Sequence, residues 1–149
     1  MKRFVRIAIL VLGALFVIGQ FIPFPRTNPA ADPSAAFAAV AAPPPEVQAI
    51  VERSCTDCHS HRTVWPWYSR VFPASWLVSS DVKDGRRHFN LSAWKGLPPQ
   101  RAQHKLEQAC EEVKGGDMPP SYYTLMHPRA KLTPQDVAAL CGWVESRAH

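Results

Sequence analysis

Residues 55 to 59 read Cys-Thr-Asp-Cys-His, and no other stretch so limits what this chain can fold into. Two thiols three positions apart, followed directly by an imidazole, are what covalent attachment of a c-type haem requires. Cys55 and Cys58 can each add across a vinyl group of the porphyrin, and His59 then places a ring nitrogen on the iron as proximal ligand. Such a chain must be built around that group, with haem replacing part of the protein core. The competing chemistry is a redox dithiol or half of a zinc site. Zinc lacks its second ligand pair, because the remaining cysteines, Cys110 and Cys141, stand far apart in the chain.

Haem attachment calls for an exported protein, and the N-terminus agrees. Lys2, Arg3 and Arg6 precede an apolar run that continues to Ile22, broken by Gln20 and two glycines. Counted from Phe4 the run is 19 residues, about 28 Å as a helix, enough to span a bilayer. The flanking cations would keep the N-terminus in the cytoplasm and send the rest across. Residues 1–22 are therefore expected to be a single transmembrane anchor, with a cleaved signal peptide as the alternative. Small residues near Ala36-Phe37-Ala38 lie far past the apolar run for a cleavage site.

The net charge of +5 suggests nucleic acid at first sight. Its location decides otherwise. Lys2, Arg3, Arg6 and Arg26 lie in the N-terminal segment, and residues 27–149 carry 13 basic and 12 acidic side chains. A near-neutral domain has no footprint for a phosphate backbone, which excludes nucleic-acid binding.

Residues 23–45 contain Pro23, Pro25, Pro29, Pro33 and Pro43 to Pro45 around an Ala-rich middle. Each proline excludes the helix before it, so the stretch reads as a semi-rigid linker with no further role. The haem c-binding domain is expected over residues 46–149. Its first helix opens at Pro45 or Glu46, and Val47, Ile50, Val51, Cys55 and Cys58 form one stripe leading into the thiols. A short helix is expected from Ala74. Another runs from Pro99 to Lys114, with Gly115 at C′. The last has Thr133 as N-cap, Pro134 at N1, Asp136 at N3, and Leu132 and Val137 as the hydrophobic staple. Its apolar stripe of Val137, Leu140, Cys141, Val144 and Ala148 matches the face of the first domain helix.

Around the pentad, Trp65 and Trp67 are candidates to wall the haem edge, though ordinary core filling reads the same way. His61 is too close to His59 to reach the opposite haem face and is expected to be exposed. Arg86, with Arg87 beside it, could meet the haem propionates bidentately, or both could be solvated. Asn90 or Ser92 could cap a turn. Met118 sits in Gly115-Gly116-Asp117-Met118-Pro119-Pro120, a loop shaped by glycines on one side and prolines on the other. A thioether there is placed to take the second axial position, with His127, His88, His104 and Met126 as other candidates. Cys110 and Cys141 each lie on the apolar side of a helix and could be bonded or remain two buried thiols.

Together the pentad, the Met-Pro-Pro loop and the terminal helices resemble a class I cytochrome c. More closely, the chain is similar to the bacterial family of small proteins named for its haem-binding domain. The likeness rests on Cys55 to Ser60, Trp65-Pro66-Trp67-Tyr68-Ser69, Gly85-Arg86, Asn90-Leu91-Ser92 with Trp94, Met118-Pro119-Pro120, and Tyr123 with His127-Pro128. It covers roughly residues 20–149. The resemblance implies an all-α, cytochrome c-like domain around one covalent haem c, with Cys55, Cys58 and His59 carried over directly and Met118 by analogy with the cytochrome ligand loop.

The expected function is a monohaem c-type cytochrome held in the bacterial inner membrane by a single pass, its domain in the periplasm. There it would pass single electrons to redox partner proteins at the membrane face and act as a carrier, not an enzyme. The alternative is a haem-based sensor or small-ligand binder with a labile distal position. A peroxidase would need an open distal face with a base and an arginine, for which His88 beside Arg87 is the one nearby candidate.

Overall fold

Prolines open three of the long helices, and glycine closes one. In the computed structural model, which describes residues 1–147, these signals separate eight α-helices, with no strand among the described residues. They are α1 (Lys2–Gly19), α2 (Phe37–Ala41), α3 (Pro45–Ser54), α4 (Thr56–His59), α5 (Ala74–His88), α6 (Pro99–Gly115), α7 (Ser121–Met126) and α8 (Pro134–Ser146). Pro45, Pro99 and Pro134 each start a helix where the missing N–H is no loss. The all-α expectation holds.

Helices α3, α6 and α8 form the body, α8 packing against both others. Val47 and Val51 from α3, Leu106, Cys110 and Val113 from α6, and Leu140, Cys141 and Val144 from α8 make one buried cluster. Each such side chain contributes roughly 1.5–3 kcal/mol on burial. Cys110 and Cys141 are joined by a disulfide with their Cα atoms 5.5 Å apart. That cross-link closes a loop worth about 3.7 kcal/mol by chain entropy. At the start of α8, Thr133 Oγ1 accepts from Asp136 N, and Thr133 N donates to Asp136 Oδ2. Leu132 and Val137 both pack on the core, as the staple requires. Ala148 lies outside the described residues.

Three expectations need correction. First, the transmembrane anchor expected over residues 1–22 is not supported: α1 stops at Gly19, and Lys2, Arg3 and Arg6 occupy its first two turns. Among the described residues, no helix is long and apolar enough to cross a membrane. Pro23 and Pro25 forbid the continuation of α1, and its last turn lies against the domain. Gly19 lies against the Phe72 ring so closely that a Cβ would fall 2.4 Å from it. Gln20 then exchanges side-chain bonds with the Phe72 backbone, donating to its carbonyl and accepting from its N–H at 3.1 Å.

Second, residues 23–45 are not a free linker. Phe37 is buried between Trp94 and Trp143, edge-on to both rings. Phe37 N donates to Leu91 O at 2.7 Å, and Trp94 N to Ala35 O at 2.8 Å. The prolines forbid a long helix but leave the carbonyls free to receive bonds from the domain, so the extended chain lies along it.

Third, two boundaries move. The stripe from Val47 to Cys58 breaks at Cys55, where α3 gives way to the single turn of α4. The left-handed residue closing α6 is Gly116 (φ 81°), not Gly115.

Candidate functional site

The short α4 carries most of the pentad, and α5 crosses directly over it. That approach is possible because residue 85 is glycine: a Cβ there would lie 2.7 Å from Cys58 O and 3.3 Å from His59 Nδ1. The closeness lets α5 set the imidazole. His59 Nδ1 is 3.1 Å from Gly85 O and 2.9 Å from Phe89 O. Both partners are acceptors, so Nδ1 carries the proton and donates. The lone pair is then on Nε2, the tautomer that metal-bound histidines adopt when a second group fixes the far nitrogen. Burial holds the ring's pKa below its usual value, although the carbonyl bonds oppose it, which keeps the imidazole neutral and able to ligate.

Cys55, Cys58 and His59 line one cavity of about 520 Å³, within the usual range for cofactor sites. Phe37, Val51, Leu106, Val113, Leu140 and Val144 give it apolar walls, so it opens into the main core. Asp81, Asp84, His88, Lys105, Glu111 and Glu112 stand among the polar residues lining it. Ser54 Oγ, on its wall, is buried without a hydrogen-bond partner in the protein. Neither Cys55 nor Cys58 is in a disulfide. Burial pushes both thiols up to about 12, with the Asp81 and Asp57 carboxylates adding to the rise at Cys58. A redox dithiol needs the opposite, a thiol activated by a depressed pKa. A large apolar cavity with two free thiols and an unprotonated imidazole nitrogen fits a haem.

Met118 lies on the same cavity, with Pro119 and Pro120. Its position follows from the end of α6, where Glu112 O accepts from both Asp117 N at 3.0 Å and Met118 N at 3.2 Å. Met118 is 38% exposed, so it sits at the cavity's edge rather than in the core.

Other expected site residues lie elsewhere. Arg86 does not line the cavity; Nε donates to Ser60 O at 2.7 Å, Nη1 to Thr27 O, and Nη2 to Asn28 Oδ1 and Thr63 Oγ1. It pins the proline-rich segment to the turn after the pentad, with little left to offer a propionate. Arg87 pairs with Asp84 on its own helix. Trp65 and Trp67 are not on the cavity either; Trp67 is 73% exposed. His61 is half-buried rather than exposed, bonded to Ala30 O and to the Asn90 amide. Asn90 does cap its turn, its Oδ1 accepting from Ser92 N at 2.9 Å. His127 is taken up by Tyr68, whose Oη lies 2.7 Å from its Nε2, and it stacks on Tyr123.

Two tyrosines of α7 line the cavity beside Met118 and gave no signal in spacing or periodicity. Tyr122 donates to Asp81 Oδ2 at 3.0 Å, and Tyr123 donates to Asp57 Oδ2 at 2.9 Å. Burial and these carboxylates push Tyr122 up to about 12 and raise Tyr123 as well. Tyr123 thus ties the α7 wall to Asp57, one of the two residues between the thiols. Gly85 was missed as well: only a helix read through residue 85 would have exposed a mid-helix glycine, about 1 kcal/mol worse than alanine, as the mark of a close approach.

Among known proteins, the chain is 27% identical over 96 residues to a cytochrome c peroxidase of Escherichia coli (strain K12). The likeness takes in 62% of this chain but only 21% of that protein, so the chain spans about a fifth of the relative's length. No solved structure matches. The profile of the haem-binding domain family matches residues 14–146. That match takes in every wall of the cavity and all but the ends of the sequence, and the protein belongs to the haem-binding domain family.

Proposed function

We propose that this protein holds one haem c covalently through Cys55 and Cys58, with His59 and Met118 as axial ligands, and passes single electrons. The observation that carries the reading is the commitment of His59 Nδ1–H to two carbonyls, which leaves the Nε2 lone pair free for a metal at a cavity that also carries both thiols and Met118. The bound haem would supply a reversible one-electron couple, whose potential a thioether ligand raises. The chain's own residues do the rest. Gly85 O and Phe89 O fix the imidazole plane and strengthen it as a donor. Leu106, Val113, Leu140 and Val144 keep water from the cavity floor, and Glu112 O holds the Met118 loop.

The peroxidase name of the relative invites a second reading, but the cavity offers it little. A peroxidase needs a free base with an arginine over the open iron face. His88 is the one imidazole besides His59 on the described wall, while Arg86 and Arg87 are committed elsewhere. Tyr122 and Tyr123 are bound to carboxylates and poor acids. The lining suits a carrier.

The surface of α1 supports a place at the membrane. Phe4, Ile9, Leu10, Leu12, Leu15 and Ile18 are all exposed on it. Lipid is the environment in which that surface is stable, with the domain on the outer side of a bacterial inner membrane and redox partner proteins meeting it there.

Changing Met118 to Ala tests the ligand assignment. The unaltered protein is expected to be low-spin with a methionine-to-iron charge-transfer band and to resist carbon monoxide. The variant should lose that band and bind carbon monoxide. An unaltered low-spin spectrum in Met118→Ala would remove Met118 as ligand. Carbon monoxide binding to the native unaltered protein would favour a sensor.

A further inference from the structure

The end of α1 is bolted to the domain rather than hinged to it. Gly19 admits the Phe72 ring, Gln20 bonds Phe72 in both directions, Arg26 Nη1 donates to Ser69 O at 3.2 Å, and Ser79 Oγ donates to Pro25 O at 3.0 Å. Segment 19–26 therefore runs along residues 69–79. Large apolar side chains stand exposed on both sides of this junction: Phe21 (81%), Trp67 (73%) and Trp76 (55%), with Ile22 and Val71 beside them in sequence. Segments 19–31 and 60–80 contain no Asp or Glu, and they carry exposed Arg26 and Arg70.

We infer that this aromatic collar is a lipid-binding seat, by which the domain rests on an anionic membrane surface in one fixed orientation. The inference rests on the membrane reading above and adds a second contact to it. Tryptophan at the water–lipid boundary keeps its ring in apolar surroundings and its N–H wet, and arginine meets phosphate headgroups. The occupant is set by continuity: an apolar helix that lipid must cover begins where the collar ends, and no acid intervenes to repel the headgroups. Helix α5 then transmits the seat to the site. Trp76 lies in its first turn, and Gly85, whose carbonyl holds His59, lies nine residues on, about 14 Å along the axis. A seated collar thus fixes the height of the haem cavity above the lipid, which a flexible tether would not.

The test uses the full haem-loaded chain, labelled at tryptophan indole nitrogens and at backbone amides, in nanodiscs of phosphatidylethanolamine and phosphatidylglycerol. Spectra are compared with and without a headgroup-proximal nitroxide lipid. The Trp67 and Trp76 indole signals, assigned by Trp67→Phe and Trp76→Phe, should lose most of their intensity, while buried Trp94 keeps its own. Bleaching of the α1 amides with Trp67 and Trp76 untouched would overturn the seat and leave α1 alone in contact with lipid, returning the collar to a protein partner or to solvent. Bleaching of neither would overturn the seat and the membrane reading together.

Discussion

A methyl group at position 85 has no room. In an open helix, alanine would improve on glycine by about 1 kcal/mol, but forcing a Cβ to within 2.7 Å of Cys58 O sets backbone against backbone. Overpacking of that kind costs roughly 1–3 kcal/mol and would displace the carbonyl that orients His59. Gly85→Ala should therefore lower Tm by several degrees and cut the fraction of chains carrying haem, read by melting and by haem absorbance per protein. Arg86 makes the complementary case. With four hydrogen bonds to the protein and none of its nitrogens on the cavity, Arg86→Ala should destabilise the fold by roughly 2 kcal/mol and leave the reduction potential unchanged. A shifted potential with unaltered stability would instead restore it as a propionate partner. Neither role was legible beforehand. A pentad announces itself because its chemistry is local, whereas the partners of Arg86 at Thr27 and Asn28 lie nearly sixty residues away. The same distance hid the bond from Tyr123 to Asp57, and an exposed Trp67 looks no different in sequence from a buried one.

Helices were legible to the degree that their ends are encoded in a few adjacent residues. Thr133, Pro134 and Asp136 write the start of α8 in four positions, and the reciprocal bonds are all present. Thr133→Ala should cost about 1 kcal/mol by removing the acceptor for Asp136 N. The backbone N–H of Thr133, followed by the Arg53 guanidinium, holds the Asp136 carboxyl below its ordinary 3.8. A carboxyl depressed in the folded state favours folding above its unfolded value, and that contribution fades as pH falls through the lower, folded one. Acid unfolding should accordingly begin at higher pH in Asp136→Asn than in the unaltered protein, followed by circular dichroism. The stripe that ran unbroken to Cys58 missed the break at Cys55 because periodicity records a face and not the carbonyl geometry that α5 imposes on α4.

On the scale of the whole chain, the segment between α1 and α3 changed most between sequence and structure. Proline spacing alone reads as a tether; Phe37, set between Trp94 and Trp143, makes the same residues part of the core. Phe37→Ala should destabilise the domain by roughly 3–5 kcal/mol, a loss no free linker would show. Removing the disulfide with Cys110→Ala and Cys141→Ala should cost about 3.7 kcal/mol in chemical denaturation. Because α6 also holds the Met118 loop, that variant should bind carbon monoxide more readily as well. The proposed function asks one thing more, that the chain hold a haem by its own thiols. The most direct measurement is the intact mass of the exported protein after denaturation and extraction with acidic solvent. The covalent account predicts the mass of the chain plus one haem, with colour retained, and loss of both in the Cys55→Ala, Cys58→Ala double variant; a bare-chain mass with the colour in the solvent would contradict it.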